Sequence, residues 1–123
     1  MQHTLSARLK RRSVAAVGVA VCGLALLPAL PAAAADEAEV AVEIKDHKFS
    51  PAEVKVPAQT PIKLTVKNSD SSAEEFESHP LGVEKVIAGN ASAIIRLKPL
   101  DKGTYAFFGE YHEDSAQGKL IAE

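Results

Sequence analysis

From residue 38 to the end of the chain, apolar and polar side chains alternate in short runs, as they do in strands with one buried and one exposed face. In AEVAVEIK, residues 38–45, every second position is apolar and most of the others are charged. The runs at 53–56 and 62–67 alternate in the same way. The remaining predicted strands lie in AEEFES, VEKVIA, SAIIRLKPL, TYAFFG and KLIAE.

Clusters of Gly, Asn, Asp, Ser and Pro separate these runs and predict turns between them. The turns recur about every eight to twelve residues, a spacing typical of antiparallel sandwiches and barrels. Residues 81–88 leave room for one helical turn, and no longer helical stripe follows residue 36. The pattern therefore predicts an all-β domain of about eight strands with a small core.

The first 35 residues do not continue this pattern. A basic stretch is followed by an apolar stretch of 17 residues, 14–30, and by a run of four alanines that ends at Ala35 and offers Ala33-Ala34-Ala35 as a cleavage site. This order is typical of a secretory signal peptide, and it predicts cleavage before Asp36. The remaining domain, residues 36–123, is then expected to be periplasmic and not to span the membrane. An uncleaved anchor is the alternative, although the stretch is at the short limit for a span. Arg11-Arg12 leaves twin-arginine export open beside the general secretory route.

Removal of residues 1–35 changes the charge balance of the chain. All 16 acidic residues follow position 35, whereas four of the 14 basic residues precede it, so the formal net charge falls from −2 to −6. An acidic domain argues against a nucleic-acid partner and is compatible with metal cations. Residues 36–123 contain no Cys, Met or Trp, so no disulfide can stabilise the domain.

Two segments carry a family resemblance. IKDHKFSPAEVKVPAQTPIKLTVKNSD, residues 44–70, resembles the first half of cupredoxins, and KPLDKGTYAFFGEYHEDSAQGKLIAE, residues 98–123, resembles their second half. The resemblance implies a cupredoxin-like Greek-key β-sandwich of about seven or eight strands. AEEFES together with GEYH is similar to the cupredoxin-like proteins associated with bacterial iron permeases. That similarity implies a copper or iron protein that assists Fe(II) oxidation beside a membrane iron permease and a periplasmic redox partner.

The resemblance also indicates where a metal would lie. A blue-copper centre uses two His, one Cys thiolate and a weak axial Met. The resemblance places Gly109 at the position of the thiolate, His112 at the second His and Glu74 or Glu75 at the first. Without sulfur a type 1 blue-copper site is excluded.

Carboxylates and imidazoles remain as donors, and they suit Cu(II), Fe(II), Fe(III), Mn(II) or Zn(II) better than Cu(I). If AEEFES is extended, Glu75 and Glu77 share one face and Glu74 shares the other with Phe76. The predicted metal ligands are His112, Glu75, Glu77 and Glu110. Additional candidates, as outer neighbours or weaker ligands, are Glu74, His79, Glu113 and Asp114. His47 lies far from both groups in sequence and is expected to be exposed and inert.

A Glu-rich strand and an acidic loop are also typical of a solvated sheet edge. A metal-free cupredoxin scaffold that acts as a binding or structural module is therefore the alternative function. No hydrolase arrangement stands out from the strand spacing. If the protein takes part in catalysis, we expect an accessory role in Fe(II) oxidation.

Overall fold

The computed structural model describes residues 36–123, together with residues 18, 20, 23 and 25–29. The chain divides into two units, Met1–Pro31 and Ala32–Glu123, and the architecture given below is that of the second. Most of the expected signal peptide, Ala35 included, lies outside the described residues, so cleavage before Asp36 stays a prediction. Within the part of the chain that the structure describes, no helix is long and apolar enough to cross a membrane.

Residues 36–123 form two β-sheets that pack face to face. One sheet has the strand order β2-β1-β4-β7 and the other β3-β9-β8-β5-β6. The strands are β1 Ala38–Lys45, β2 Lys48–Ser50, β3 Glu53–Val56, β4 Ile62–Asn68, β5 Glu74–Ser78, β6 Val83–Ile87, β7 Ser92–Leu97, β8 Gly103–Gly109 and β9 Gln117–Ala122. The all-β sandwich predicted from the alternation is confirmed.

The structure differs from the expectation in two details. Residues 81–88 contain strand β6 rather than a helical turn, and the one short 3₁₀ helix among the described residues spans Glu110–His112. Two strand pairs are parallel, β1 with β4 and β3 with β9, whereas the pattern suggested an antiparallel sandwich. Side chains alternate with a period of two in both kinds of pairing, so the alternation alone could not reveal these parallel pairs.

Three phenylalanines fill the space between the sheets. The ring of Phe107 lies 4.9 Å from that of Phe76 and 5.0 Å from that of Phe49, measured between ring centroids. All three side chains are buried. A Cβ at Gly118 would lie 2.3 Å from the Phe107 ring, so this glycine lets the ring approach β9 closely. The cluster fixes the position of β5 relative to β8, the two strands from which the candidate site is built.

Asn68 connects the end of β4 to the loops that precede β5 and follow β6. Its fully buried amide donates hydrogen bonds to the carbonyl oxygens of Ser72, at 2.8 Å, and of Ile87, at 3.1 Å. Its side-chain oxygen accepts a hydrogen bond of 3.1 Å from the backbone N–H of Asp70. Because each of these groups needs a partner when buried, Asn68 determines the course of the loop that carries Asp70.

We expect Asn68→Ala to lower the free energy of unfolding by about 1–3 kcal/mol, because the carbonyls of Ser72 and Ile87 and the Asp70 N–H lose their partner. Urea denaturation would measure the loss. Lys67→Ala, an exposed change at the neighbouring position, is the control and should stay within about 0.5 kcal/mol of the parent protein. Equal stability of the two variants would show that the amide does not hold these loops.

Candidate metal centre

Three side chains from distant parts of the chain meet at one end of the sandwich. Each of His47, Glu74 and His112 offers one ligand atom, and these atoms lie within 4.8 Å of one another. His47 comes from the turn between β1 and β2, Glu74 opens β5, and His112 ends the 3₁₀ helix after β8. The arrangement combines two imidazoles with one carboxylate.

Glu74 is at the centre of this group, and only 1% of its surface is exposed. One carboxylate oxygen, Oε2, lies 2.6 Å from Nδ1 of His112. The other, Oε1, accepts hydrogen bonds from the backbone N–H groups of Tyr111, at 3.0 Å, and of Glu75, at 3.1 Å. A buried carboxylate requires such partners, because the loss of its hydration costs several kcal/mol. The contacts therefore attach the loop that carries His112 to the start of β5.

Gly109 provides the space that the Glu74 carboxylate occupies. A Cβ at position 109 would lie 2.7 Å from Cδ and 2.8 Å from Oε1 of Glu74, and 2.7 Å from Cβ of Ala116. Real Cβ atoms essentially never come so close to other heavy atoms, so a larger residue would displace one of these groups. Gly109 occupies the position at which the resemblance expects a thiolate, and Glu74 occupies the position at which it expects a histidine. Glu74 thus requires a glycine at position 109.

His47 is presented by a tight hairpin turn. Asp46 and His47 have φ angles of 51° and 59° and connect Lys45 to its β2 partner Lys48, as in a two-residue type I′ turn. Both turn N–H groups donate to the carboxylate of Asp70, at 2.8 and 3.0 Å. The hydrogen bond from His47 N–H is the main cause that holds the pKa of Asp70 below its ordinary value. The turn is therefore held against the loop that leads into β5.

The His47 ring stacks on the ring of His112. Their centroids are 3.5 Å apart and their planes differ by 12°. The expectation that His47 is exposed is wrong, because its ring is partly buried against that of His112. Sequence separation misled it, because the parallel pairing of β1 with β4 brings the end of β1 beside the loop that begins at Asn68. A sequence signal was present in the Asp-His pair at a turn between two strands, but it does not by itself indicate what the turn contacts.

The four predicted ligands do not lie together. His112 contacts Glu74, which was an additional candidate, whereas the other three predicted ligands form a separate group. Glu74 lies on the same face as Phe76, as the alternation predicted, and both side chains are buried. Glu75, Glu77 and Glu110 place one carboxylate oxygen each within 4.8 Å of one another, and this group, called the outer carboxylate group below, does not include His112.

The other candidates lie at the margins of these groups. His79 Nε2 is 3.6 Å from Oε1 of Glu77, and the His79 side chain is 78% exposed. Glu113 and Asp114 are exposed in the loop after the 3₁₀ helix, and neither belongs to the two groups formed by the described residues.

Comparisons with known proteins agree with the architecture. The family described as "Cupredoxin-like domain" matches residues 18–122. The uncharacterized protein RP394 of Rickettsia prowazekii (strain Madrid E) is 49% identical over 83 residues, which cover 68% of this chain and 66% of that protein. This chain therefore spans just under two thirds of the length of that relative.

Two solved structures show the same fold at low sequence identity. Auracyanin A, a "blue" copper protein from Chloroflexus aurantiacus, is 14% identical with a TM-score of 0.62, over 72% of this chain and 100% of that one. The metal-binding domain of the Cu(I)-exporting P-type ATPase CopA of Streptococcus pneumoniae D39, solved with Cu(I), is 14% identical with a TM-score of 0.62, over 73% and 98%.

The close approach of Gly109 to Glu74 predicts that their substitutions are coupled. Gly109→Ala should destabilise the protein by about 1–3 kcal/mol, because the methyl group overlaps the carboxylate. The loss should be smaller in a Glu74→Ala background, which removes the overlapping atoms, than in a Glu74→Gln background, which keeps them. Urea denaturation of the single and double variants measures both differences. Equal losses in the two backgrounds would contradict the steric coupling.

Proposed function

The chain belongs to the family of cupredoxin-like domains, and on that premise we propose that it is a metal-binding protein whose ion is held by Glu74, His112 and His47. The observation that carries the proposal is the buried Glu74 carboxylate, whose Oε2 lies 2.6 Å from Nδ1 of His112. Two donors on one first-row metal ion are about 3 Å apart. The two atoms are slightly closer than two ligands of one ion, so they would hold an ion between them after a small separation.

The donor set favours certain metals. One carboxylate and two imidazoles suit Cu(II), Fe(II), Fe(III), Zn(II) and Mn(II), and among divalent ions such sites generally bind Cu(II) most tightly. The absence of Cys and Met from residues 36–123 disfavours Cu(I) and a blue-copper centre. The structurally similar auracyanin A is itself a copper protein, which supports copper as the first candidate. Iron is the second, because a carboxylate is a hard ligand that favours the ferric state.

His47 completes the site only after a small movement. An imidazole binds a metal in the plane of its ring, and the nearly parallel rings of His47 and His112 each offer one nitrogen within 4.8 Å of the other and of a Glu74 oxygen. Rotation about the side-chain torsions of His47, whose Nδ1 lies 3.5 Å from Oδ2 of Asp70, would direct a ring nitrogen to an ion while Asp70 holds the backbone of the turn. Glu74 and His112 thus form the preorganised part of the site, and His47 is its adjustable ligand.

The proposed cellular role follows from the resemblance of AEEFES and GEYH to the proteins of bacterial iron permeases. On this proposal the domain is exported to the periplasm, binds copper or iron, and assists Fe(II) oxidation or delivery to a membrane iron permease with a periplasmic redox partner. The acidic charge of residues 36–123 supports a cationic cargo. A bound copper or iron ion would supply one-electron transfer, and Glu74, His112 and His47 would hold the ion in position.

One observation favours a second candidate function, a scaffold that works without metal. The Glu74 carboxylate already has partners on both oxygens, so the metal-free site is stable in itself. In this case the contact between Glu74 and His112 holds the loop after β8 in place, and the exposed surface around that loop contacts a partner.

Titration of the purified protein with Cu(II), followed by calorimetry and electron paramagnetic resonance, separates the two functions. We expect one tightly bound Cu(II) per chain and no intense thiolate-to-copper absorption. His112→Ala and Glu74→Gln should each weaken binding at least about tenfold, because each removes a ligand.

The exposed His79 provides the matched imidazole control, and His79→Ala should leave the affinity unchanged. Cu(II) binding that is equally strong in His112→Ala and Glu74→Gln would overturn the proposed centre. Absence of tight binding in the parent protein would favour the metal-free scaffold.

A further inference from the structure

Strand β7 forms an open edge of the four-stranded sheet, and part of its backbone points out of that edge. The N–H of Asn68 donates to the carbonyl oxygen of Ala91, which continues the antiparallel register of β4 and β7. Hydrogen-bonded and non-hydrogen-bonded pairs alternate along such a ladder, so every second residue after Ala91 bonds to β4. The residues between them direct their N–H and C=O groups to the open edge, and they are Ser92, Ile94 and Arg96.

The other edge strands formed by residues 36–123 carry features that prevent pairing with another sheet. The three-residue β2 is followed by Pro51, and the four-residue β3 is followed by Pro57. The edge strand β6 exposes two consecutive charges, Glu84 and Lys85. In contrast, β7 has six residues, no proline and a single charge, that of Arg96. It is therefore the least protected of the four edges.

The single charge of β7 does not guard the edge. Arg96 forms an ion pair with Glu37, which precedes β1. Because β4 lies between β1 and β7, the guanidinium reaches across β4 and away from the open edge. The side chain at the middle of the edge is Ile94, which is 54% exposed. An unpaired edge with an exposed apolar side chain at its middle is a template for another strand.

We propose that β7 pairs with β7 of a second copy of this chain, in antiparallel orientation about a two-fold axis at Ile94. Ile94 then forms a hydrogen-bonded pair with Ile94 of the second copy, and Ser92 forms such a pair with Arg96 on either side of the axis. Each pair exchanges two N–H···O bonds between the open edges. Two-fold pairing occupies both edges and leaves neither for a third copy, so the assembly is a closed dimer rather than a fibre.

A second copy fits this edge because the charges of the strand are complementary to themselves in the two-fold register. The charged Arg96 lies opposite the uncharged Ser92, and Lys98 lies opposite the uncharged Asn90. No two like charges are therefore paired. The outer carboxylate group belongs to β5 and the 3₁₀ helix, in the other half of the sandwich, so its charges are outside the joined sheet.

The same register joins two rows of uncharged side chains. In each copy Ile94 is paired with Thr65 of β4, and Thr65 is paired with Ala41 of β1. The two rows meet at the axis, where the Ile94 side chains cover each other and remove apolar surface from water. The proposed interface contains none of the proposed metal ligands, so it does not depend on metal binding.

Analytical ultracentrifugation of the purified protein tests the interface. We expect a concentration-dependent dimer, and we expect Ile94→Lys to raise its dissociation constant at least about tenfold, because the change replaces an apolar contact with two like charges on the axis. Ala41→Lys is the matched control, since it adds the same charge to an exposed position in the same row, two strands from the edge. This control should dimerise as the parent protein does.

A second control separates β7 from the edge of the other sheet. Val86 of β6 is 52% exposed, close to the exposure of Ile94, and Val86→Lys should leave the dimer unchanged. A parent protein that stays monomeric up to about 1 mM would overturn the inference. A dimer that withstands Ile94→Lys, or equal losses for Ile94→Lys and Val86→Lys, would also overturn it.

A disulfide cross-link tests the register without disrupting the strand. Cys22 is the one cysteine of the chain, so Cys22→Ser gives a background without thiols. In that background Ile94→Cys places two thiols on the axis, with Cα atoms about 5.5 Å apart, which a disulfide can bridge. The two thiols of Ser92→Cys would be at least about 13 Å apart, because four residues separate them along the pair.

With diamide as the oxidant, we expect Ile94→Cys to form a covalent dimer that a reducing agent dissociates, and Ser92→Cys to stay largely monomeric under denaturing conditions. Diamide takes up the two electrons and two protons that the thiols lose. Equal cross-linking of the two variants, or no cross-linking of Ile94→Cys, would contradict the two-fold pairing at Ile94.

Discussion

The structure of the candidate centre depends on the burial of one carboxylate. Glu74 retains its place in the interior because His112 and two backbone N–H groups contact its oxygens, since an unpartnered charge there would destabilise the fold. Its side chain requires the absence of a Cβ at Gly109, and its hydrogen bonds position the loop that carries His112. The site is therefore not a blue-copper site with a ligand deleted. A carboxylate fills the volume next to residue 109, and the neighbouring residues are adapted to it.

The sandwich assembles the rest of the site from segments that are distant in sequence. Parallel pairing of β1 with β4 sets the Asp46-His47 turn beside the loop after Asn68, where Asp70 accepts the turn's N–H groups. The buried Asn68 in turn fixes that loop to the end of β6. Because the strand alternates its faces, a shift of one residue separates the inner Glu74 from the outer Glu75. The same short strand thus lies beside two partly buried histidines on one side and a mainly acidic group on the other.

Local patterns in the sequence predicted the all-β class, most strands and the face that Glu74 shares with Phe76, because these features depend on side-chain alternation within a few residues. The resemblance indicated His112 and the carboxylates of β5. The division of the candidates into two groups was not predicted, since it depends on where the 3₁₀ helix directs Glu110 and His112. The contact of His47 with His112 was missed because it depends on a parallel strand pair. The need for glycine at 109 depends on a contact between residues 35 positions apart, which periodicity does not reveal.

The most direct test of the central claim is X-ray absorption spectroscopy at the copper edge of the Cu(II)-loaded protein. Multiple scattering from the outer atoms of imidazole rings counts the histidines that bind the ion, and the first shell distinguishes sulfur from nitrogen and oxygen. The account predicts two imidazoles, with oxygen as the other protein donor and no sulfur. A spectrum with no imidazole, with a single imidazole or with a sulfur ligand would contradict the assignment of the ion to Glu74, His112 and His47.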